Sequence, residues 1–369
     1  MIGILLMAHG TPAGPQEIPS FLESIRSHKP SQAELDDLAR RYEAIGGMSP
    51  LTQLTEVHRD NLVRVLDKRY PGRFVVATGM KHAKPSIEDS LASLEQAGAA
   101  SIIGVALAPH YSRASIGDYE NRVRTAIRLD PNTAYHATFR MVKSWHLAPG
   151  LIELWSGRVK DTVIRLQSAI EKETGGESAR QEGSARQERS AEQERSARQQ
   201  GPAGQEKLDA GSPDDPGSTG NDSAVHVIFT AHSLPARLTD QGDPYARQVN
   251  ETAAAIAKQA GLEHWSVAWQ STPMHVREPW LEPDVKDAIS TLAGAGRKAV
   301  AVCPVGFVSD HLETLYDLDI VARESANIRG IAFDRCRSLD HDIGLAEVLA
   351  SVAYGELGGS EEVGVRKWE

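Results

Sequence analysis

In the segment HVIFTAHSLP, a strongly apolar stretch is followed by a histidine, His232, and then by a proline. The apolar residues before His232 predict a buried strand, and Ser233, Leu234 and Pro235 predict a turn directly after it. Because the ordinary pKa of an imidazole lies close to neutral pH, a partly desolvated histidine held there can accept a proton from a weak acid. A positioned base of this kind is worth roughly 10²–10⁴ in rate. We favour this interpretation of His232 over a structural histidine bonded to a loop carbonyl.

A second apolar segment, AVAVCPVGFVSDHLETLYD, ends in a group of acidic residues. Ser309 or Asp310 can cap a helix there. In that helix Asp310, Glu313 and Asp317 lie at i, i+3 and i+7 on one face. Like-charged carboxylates in a stripe repel one another unless they bind cations or share protons. Glu313 is the strongest candidate, because it lies one turn from a strand end where burial would raise its pKa. We expect it to face His232 across a cleft that handles a metal ion and a proton.

Several other histidines share the position of His232 at a predicted strand end. The full set is His9, His82, His110, His146, His232 and His311. In open α/β sheets, ligands bind beyond the carboxyl ends of the strands. The presence of six of the 13 histidines at such ends therefore indicates a binding cleft.

Short runs rich in valine, isoleucine and alanine recur along the chain, with helical patterns between them. They are IGILLMA, RFVVATGM, ASIIGVALAP, AYHATFRMV, VHVIFTA, WSVAWQS, KAVAVCPVGF and IRGIAF. This alternation predicts parallel sheets covered by helices on both faces. Four runs fall before residue 145 and four after residue 224. We therefore predict an α/β protein with two similar Rossmann-like domains, each a four-stranded parallel sheet flanked by helices. The periodicity leaves the strand order open.

The same runs suggest domain boundaries. An N-terminal α/β domain covers 1–145, a C-terminal α/β domain covers 146–335, and a closing segment covers 336–369. Residues 173–223 carry a degenerate SARQE-like repeat, with Leu208 as the only large apolar side chain. Such a segment buries too little apolar surface to offset its ordering entropy, so we predict a disordered insertion in the second domain.

Composition limits the classes of partner and cofactor. The 369 residues carry a formal net charge of -10, which argues against a nucleic-acid backbone or an anionic membrane surface as the main partner. Two cysteines, Cys303 and Cys336, can build neither a disulfide framework nor an all-cysteine iron–sulfur or zinc site within one chain. This cysteine usage fits a reducing, cytoplasmic setting. No segment approaches ~20 unbroken apolar residues, so we expect a soluble protein. The motifs of P-loop NTPases, dinucleotide-binding proteins, nucleophile-elbow hydrolases and zincins are absent.

The motifs around the singled-out residues resemble those of the ferrochelatase family, most of all its short bacterial members that insert ferrous iron into coproporphyrin III. The resemblance covers nearly the whole chain outside 173–223. Its segments are LLMAHGTP, RRYEAIGGMSPLTQLT, GMKHAKPSIEDSL, LAPHYS, FTAHSLP, DPYARQV, WQS with PWLEPDV, and PVGFVSDHLETLYDLDI. It implies a lyase of haem biosynthesis with two similar four-stranded domains. It also implies a C-terminal helix in 336–369 that packs back on the first domain and is followed by a tail.

The resemblance implies chemical roles for the residues at the two strand ends. A free-base porphyrin must lose two protons and bend before a metal ion can enter its plane, which requires a base on one face and a pocket that enforces distortion. By resemblance, His232 accepts the pyrrole protons and Glu313 lies opposite, binding iron or relaying protons. The outer metal site of the family uses an arginine near Arg41 and helix acids; Asp317 is present, but Val321 replaces the next acid. The resemblance makes iron a substrate of the enzyme. We therefore expect no permanent cofactor, and with two cysteines no iron–sulfur cluster.

The resemblance also implies substrate contacts. Arg26, Ser49 and Tyr119 match positions that hold porphyrin propionates, and the planar fork of an arginine suits a carboxylate. Trp269 would stack near the macrocycle. His9 departs from the pattern, because coproporphyrin-type members usually carry tyrosine at this position, which approaches the iron of the product. A histidine is a stronger-field nitrogen ligand than a phenol oxygen, so we expect it to change the spin state and release of the product or to help deliver iron.

Other functions stay open at this level. A protoporphyrin ferrochelatase and a sirohydrochlorin or cobalt chelatase are enzymatic alternatives, and a porphyrin or haem carrier is the non-enzymatic one. A carrier needs neither a base nor an opposed acid, so His232 and Glu313 favour an enzyme. We expect a porphyrin substrate, the downstream coprohaem decarboxylase as a partner, no nucleic acid, no integral membrane segment, and a monomer.

Overall fold

The computed structural model of the chain describes residues 1–26, 29–129, 138–196, 225–273 and 278–358. Its first half is built on the strands β1 (Ile2–Ala8), β2 (Phe74–Met80), β3 (Ser101–Ala106) and β4 (Phe139–Met141). They form a parallel sheet in the order β2-β1-β3-β4. Parallel strands inside a sheet are covered on both faces, and the centre of β1 is accordingly apolar and fully buried.

The second half repeats this arrangement. Its strands are β5 (His226–His232), β6 (Trp265–Gln270), β7 (Ala299–Cys303) and β8 (Ala332–Arg335). They form a parallel sheet in the order β6-β5-β7-β8. The predicted fold class is confirmed, and each of the eight apolar runs overlaps a strand. The order of the strands, which periodicity left open, is the same in both halves, so β1 and β5 occupy equivalent positions.

Helices cover the sheets, and several begin at residues suited to capping. Ser31 and Ser86 each form a capping box, with Glu34 and Asp89 respectively. The segment Glu313–Ala322 is a π-helix. The α-helices are α1 (Ile18–Ile25), α2 (Gln32–Ala44), α3 (Leu51–Arg69), α4 (Ile87–Gln96), α5 (Ile116–Leu129), α6 (Pro149–Ser196), α7 (Arg237–Asp240), α8 (Tyr245–Ala260), α9 (Val285–Gly294), α10 (Arg323–Ile328) and α11 (Ile343–Gly355).

The largest apolar core joins the two halves. Leu6 of β1, Trp155 of α6 and Phe229 of β5 all belong to it and are fully buried. Helix α11 packs against α3 and α6, and the ring of Tyr354 stacks on that of Tyr70 with centroids 4.8 Å apart. The last described helix thus lies on the first half of the chain. The shared core holds both sheets together, so the loops at their carboxyl ends can face one another.

The predicted insertion is only partly within the described residues. Helix α6 extends to Ser196 and carries the backbone into it. Residues 197–224 lie outside the described residues, so the disorder of 173–223 stays a prediction, as does the tail from residue 359 onward. None of the helices in the described ranges combines the length and apolar character that crossing a membrane requires.

Candidate active site

His232 is the last residue of β5, at the edge where the carboxyl ends of the parallel strands meet. Its Nδ1 hydrogen bonds with the carbonyl oxygen of Ser233. A carbonyl oxygen only accepts, so Nδ1 carries the proton. The hydroxyl of Tyr245 donates to the carbonyl oxygen of His232 over 3.0 Å. These contacts hold both the ring and the backbone of His232 and leave Nε2 for another partner.

That partner is Glu313, which lies between two histidines. Its Oε1 is 3.5 Å from Nε2 of His232, and its Oε2 is 3.6 Å from Nε2 of His311. Nδ1 of His311 donates to the carbonyl oxygen of Ser309 over 3.0 Å, so both rings use Nδ1 for the backbone and turn Nε2 to the same carboxylate. A neutral imidazole of this tautomer would present a lone pair to an anion. The arrangement therefore favours either a proton on Nε2 or a cation between the nitrogen and oxygen atoms.

The charges of His232 and Glu313 depend on each other. Desolvation by burial acts to lower the pKa of His232, but the charge of Glu313 and the hydrogen bond with it raise that pKa to about 9. Burial acts to raise the pKa of Glu313, but the attraction of His232 and hydrogen bonds with His232 and His311 hold it well below its usual range. The expectation of a raised pKa for Glu313 is therefore wrong, because these attractions outweigh burial. At neutral pH the pair is imidazolium and carboxylate, and His232 must lose a proton before it can accept one.

Asp317 adds a second carboxylate beside Glu313. Desolvation by burial and the charge of Glu313 raise the pKa of Asp317 to about 6. The hydroxyl of Ser271 donates to Oδ2 of Asp317, and Nη1 of Arg41 lies 4.0 Å from Oδ1. Ser271 has a φ of 63°, a left-handed conformation that residues other than glycine seldom adopt. The fold thus sustains a locally unfavourable backbone where Ser271 meets Asp317.

The three predicted acids do not share one helical face. The helix begins only at Glu313 and is a π-helix without a side-chain cap. Asp310 precedes it and binds Arg335, with Nη1 to Oδ1 at 2.9 Å. The predicted stripe is therefore wrong in Asp310, because an ion pair with β8 holds that carboxylate. Glu313 and Asp317 remain neighbours, because the charge of Glu313 contributes to the raised pKa of Asp317.

The first sheet presents a different pair of histidines. His9 follows β1, and its ring centroid is 4.6 Å from that of His82, which follows β2. The hydroxyl of Ser24 hydrogen bonds with Nδ1 of His82 over 2.9 Å, and Phe21 packs edge-on against both rings. His9 is exposed, but desolvation by the atoms around its ring lowers its pKa. Desolvation, followed by the charge of His9, lowers the pKa of His82 to about 3. Both rings are neutral at physiological pH and offer nitrogen lone pairs.

The two groups lie close together at the strand ends of the two sheets, and we treat them as the two walls of the predicted cleft. The charges of Glu313 and His311 both act on the pKa of His9. The charge of Glu313 also acts on the pKa of Tyr42, whose hydroxyl hydrogen bonds with Oγ1 of Thr11 over 3.1 Å. The loop after β1 and the start of the π-helix are therefore close in space. One wall carries neutral nitrogen donors, and the other carries a charged histidine–carboxylate cluster.

The residues predicted to bind propionates lie at different depths. Arg26 follows α1, with 39% of its side chain exposed. Ser49 is buried, and its Oγ accepts from the N–H of Leu51 over 3.3 Å. Tyr119 is buried in a smaller apolar core between the first sheet and helices α4 and α5, with Nζ of Lys81 over its ring. Within the described ranges none of the three forms a hydrogen bond or ion pair with His232, Glu313 or Asp317, so their propionate-binding roles stay predictions.

Aromatic residues support the second wall. Trp269 is buried in the large core, with its ring centroid 5.8 Å from that of Tyr245, whose hydroxyl bonds to His232. Stacking of Trp269 on a macrocycle stays a prediction. Trp280, which the sequence did not single out, is only half-buried, and its ring centroid is 6.4 Å from that of His232. Tyr245 and Trp280 stand in the quoted segments DPYARQV and PWLEPDV, which were the available signal for them.

Two of the strand-end histidines belong to a different group. Nε2 of His110 hydrogen bonds with Oγ1 of Thr252 over 2.9 Å, and Nε2 of His146 lies 2.9 Å from Oε2 of Glu251. These contacts join the first half to α8. His110 and His146 therefore connect the halves, whereas His9, His82, His232 and His311 line the cleft. His311 entered the sequence analysis only as a member of the strand-end set, and its alternation with Glu313 was the missed signal.

The donors of the second wall do not form a closed metal cage. In the described part of the chain, no group of three or more histidine, cysteine, aspartate or glutamate side chains is arranged to hold a metal ion. Around Glu313 the two N–O separations are 3.5 and 3.6 Å.

The strand ends of two parallel sheets bring together histidines and carboxylates, side chains suited to proton transfer and metal-ion binding. The family model described as Ferrochelatase matches residues 1–174 and 206–357. The ferrochelatase of Herpetosiphon aurantiacus is 32% identical over 354 residues, covering 96% of this chain and 98% of that protein. The coproporphyrin III ferrochelatase of Halalkalibacterium halodurans is 33% identical over 363 residues, covering 98% of each. A solved structure of CbiX, the terminal enzyme for biosynthesis of siroheme in denitrifying bacteria, is 10% identical, covers 96% of this chain and 98% of its own, and has a TM-score of 0.44. The chain belongs to the ferrochelatase family and is an enzyme.

Proposed function

We propose that this enzyme inserts ferrous iron into coproporphyrin III to give coprohaem. The observation that carries the proposal is the position of Glu313 between Nε2 of His232 and Nε2 of His311, on the wall opposite His9. The family supports insertion of iron, and the name of the relative from Halalkalibacterium halodurans supports coproporphyrin III as the substrate.

The reaction exchanges one ferrous ion for the two pyrrole N–H protons of the porphyrin, so the site must remove two protons. The resting cluster already holds one proton on His232, attracted by Glu313. A divalent cation that approaches Glu313 competes with the imidazolium for the carboxylate, so the pKa of His232 falls and its proton leaves to solvent. Nε2 of His232 then presents a lone pair and accepts the two pyrrole protons one after the other, releasing the first before it takes the second. Asp317, beside this pair, relays protons onward.

The opposite wall serves the metal once it is in the ring. His9 offers a neutral imidazole nitrogen, a donor that ferrous iron accepts readily. We therefore assign to His9 the role of an axial ligand to product iron. Ferrous iron is a substrate in this scheme, with His232, Glu313 and Asp317 contacting it in transit and no cofactor bound permanently.

The propionates of coproporphyrin III need cationic or hydrogen-bonding partners at the rim. Arg26 suits this role because it is exposed and its guanidinium can bind a carboxylate with two hydrogen bonds. Ser49 and Tyr119 are proposed as further partners, and Trp269 as an aromatic residue near the macrocycle, on the strength of the motif resemblance. We further propose a cytoplasmic monomer that passes its product to coprohaem decarboxylase and binds no nucleic acid.

The substrate is tested by anaerobic turnover of ferrous iron with coproporphyrin III and protoporphyrin IX side by side, followed in the visible spectrum. We expect metallation of both to be measurable and that of coproporphyrin III to have the higher kcat/KM. The His232→Ala variant serves as the control for uncatalysed insertion. A preference for protoporphyrin IX would refute the substrate assignment, and no catalysed insertion into either porphyrin would refute the function.

A further inference from the structure

Arg335, at the end of β8, binds two aspartates that bracket Glu313 in the sequence. Its Nε and Nη2 donate to Oδ1 and Oδ2 of Asp319 over 2.7 and 2.8 Å. Its Nη1 and Nη2 also donate to Oδ1 and Oδ2 of Asp310 over 2.9 and 3.3 Å. Asp310 precedes the π-helix and Asp319 lies within it. One guanidinium therefore binds two carboxylates, one on each side of Glu313 in the sequence.

This tie is largely removed from solvent. Only 10% of the Arg335 side chain is exposed, against 22% for Asp310 and 28% for Asp319. Planar two-atom pairing of arginine with a carboxylate fixes orientation as well as distance. Exposed ion pairs contribute little, but removing the cation from a shielded group leaves two carboxylates that repel each other. Arg335 is thus the cation that Asp310 and Asp319 share, while Arg323 also contacts Asp319 and the hydroxyl of Ser338 donates to Asp310.

The register of the π-helix decides where Glu313 and Asp317 stand. In an α-helix, residues four apart are offset by about 40° around the axis. The i→i+5 bonding of a π-helix widens the turn and so changes the angle between two such side chains. Because π-helical turns are rare and need outside contacts to persist, the register here depends on what holds the segment. Arg335 holds it from the side of β8, and the amide of Gln270 donates to the carbonyl oxygen of Glu313 over 3.1 Å.

We propose that Arg335 is a positioning residue for Glu313: by binding Asp310 and Asp319 together, it fixes the π-helical register and so the placement of the Glu313 carboxylate between His232 and His311. The inference rests on the proposed function for its consequence in catalysis. Arg335 touches neither substrate nor metal in this scheme. A displacement of a catalytic group by about 1 Å can lower a rate by about 10²-fold, so the effect on turnover is large.

The experiment compares Arg335→Gln with Arg335→Lys, which keeps the charge but not the planar fork. Arg165→Gln is the matched control, since Arg165 also pairs with an aspartate of β8, Asp334, with Nη2 to Oδ2 at 2.8 Å. Each variant is assayed for kcat, for KM, and for porphyrin binding by fluorescence quenching. We expect Arg335→Gln to lose about 10- to 100-fold in kcat with little change in porphyrin binding, Arg335→Lys to recover part of that loss, and Arg165→Gln to match the wild type.

A double-mutant cycle separates positioning from general destabilisation. If Arg335 acts through Glu313, adding Arg335→Gln to Glu313→Gln should cost little more than Glu313→Gln alone, because coupled residues are not additive. Losses that multiply in full would overturn the proposal. So would equal turnover of Arg335→Gln and Arg165→Gln, or a raised KM at unchanged kcat. If Arg335→Gln does not fold, Asp319→Asn removes one of the two pairs at constant shape and should give the same pattern.

A readout independent of activity keeps this proposal distinct from the proposed function. A crystal structure of Arg335→Gln, or of Asp319→Asn, should show the Glu313 carboxylate moved by about 1 Å or more from its place between the two histidines. If the π-helix is unchanged in the variant and Glu313 stays in place, the positioning role is refuted, regardless of the activity of the enzyme. If Glu313 is moved in the variant and the wild-type protein inserts no iron, the proposed function is refuted and the positioning role stands.

Discussion

The two halves of this enzyme share one topology but give the histidine at the end of their equivalent strands opposite surroundings. His9 follows β1, has His82 beside it, and has a lowered pKa. His232 ends β5, has Glu313 beside it, and has a pKa raised to about 9. The fold therefore places a histidine on each wall, and the neighbour of each histidine decides whether it is a neutral donor or a charged acid.

This difference separates two tasks that metal insertion requires. Protons must be removed from the macrocycle, and the metal must be bound once it is inside. A charged pair such as His232 and Glu313 responds strongly to an arriving cation, whereas the neutral pair of His9 and His82 gives up no proton and can only donate electrons. We therefore assign proton transfer to the second half and ligation to the first.

The largest effect is expected for His232→Ala. Removing the proton acceptor should lower kcat by about 10²–10⁴-fold, while porphyrin binding stays measurable because the cleft and the first wall are intact. Initial rates under anaerobic conditions and fluorescence quenching by the porphyrin measure the two properties separately. Turnover at the wild-type rate would remove His232 from the mechanism.

Glu313→Gln should be nearly as severe. The amide keeps the shape of the carboxylate but cannot attract the ferrous ion or the imidazolium, so we expect kcat to fall by about 10²-fold or more. Because the change is isosteric, we expect the variant to fold normally, and a thermal melting curve checks that misfolding does not cause the loss of kcat. A kcat close to that of the wild type would contradict the role of Glu313.

The same variant tests the charge state of the second wall. Because the folded-state pKa of His232, about 9, exceeds its unfolded value of about 6.5, the pair contributes stability that is fully present below pH ~6.5 and lost as pH rises through 9. The difference in Tm between wild type and Glu313→Gln should therefore be largest near pH 6.5 and vanish above pH 9. About a third of each side chain is exposed, so solvent screening keeps this difference small. A gap that widens with pH would mean that His232 is neutral.

A smaller effect on rate is expected for His9→Tyr. Proton transfer does not use His9, so kcat should change by less than about tenfold, equivalent to about 1.4 kcal/mol. The visible spectrum of the enzyme–coprohaem complex should change clearly, because a phenol oxygen is a weaker-field ligand than an imidazole nitrogen. An identical product spectrum in the two proteins would exclude His9 as an iron ligand.

The smallest effect is expected for deletion of residues 175–222. Loop-closure entropy depends weakly on length, and the four strands of each sheet lie outside the deleted segment, so kcat should stay within about twofold of the wild type. Steady-state kinetics and a melting curve test this expectation. A deleted protein that does not fold would show that the segment is structural.

Sequence reasoning was strongest where burial imposes a local pattern and weakest where distant residues meet. The eight strands could be predicted because a strand inside a covered parallel sheet must be apolar throughout. The π-helix could not, because its register depends on contacts such as that of Arg335 with Asp319. The pKa of Glu313 was expected to rise because burial was visible in the pattern, whereas the approach of His232 from 81 residues away was not.

The division of labour between the two walls is tested most directly by measuring kcat for His232→Ala and His9→Ala in the same anaerobic assay with ferrous iron and coproporphyrin III. The account predicts a loss of about 10²-fold or more for His232→Ala and of less than about tenfold for His9→Ala. A loss for His9→Ala as large as that for His232→Ala would contradict it, since the first wall would then take part in removing the protons.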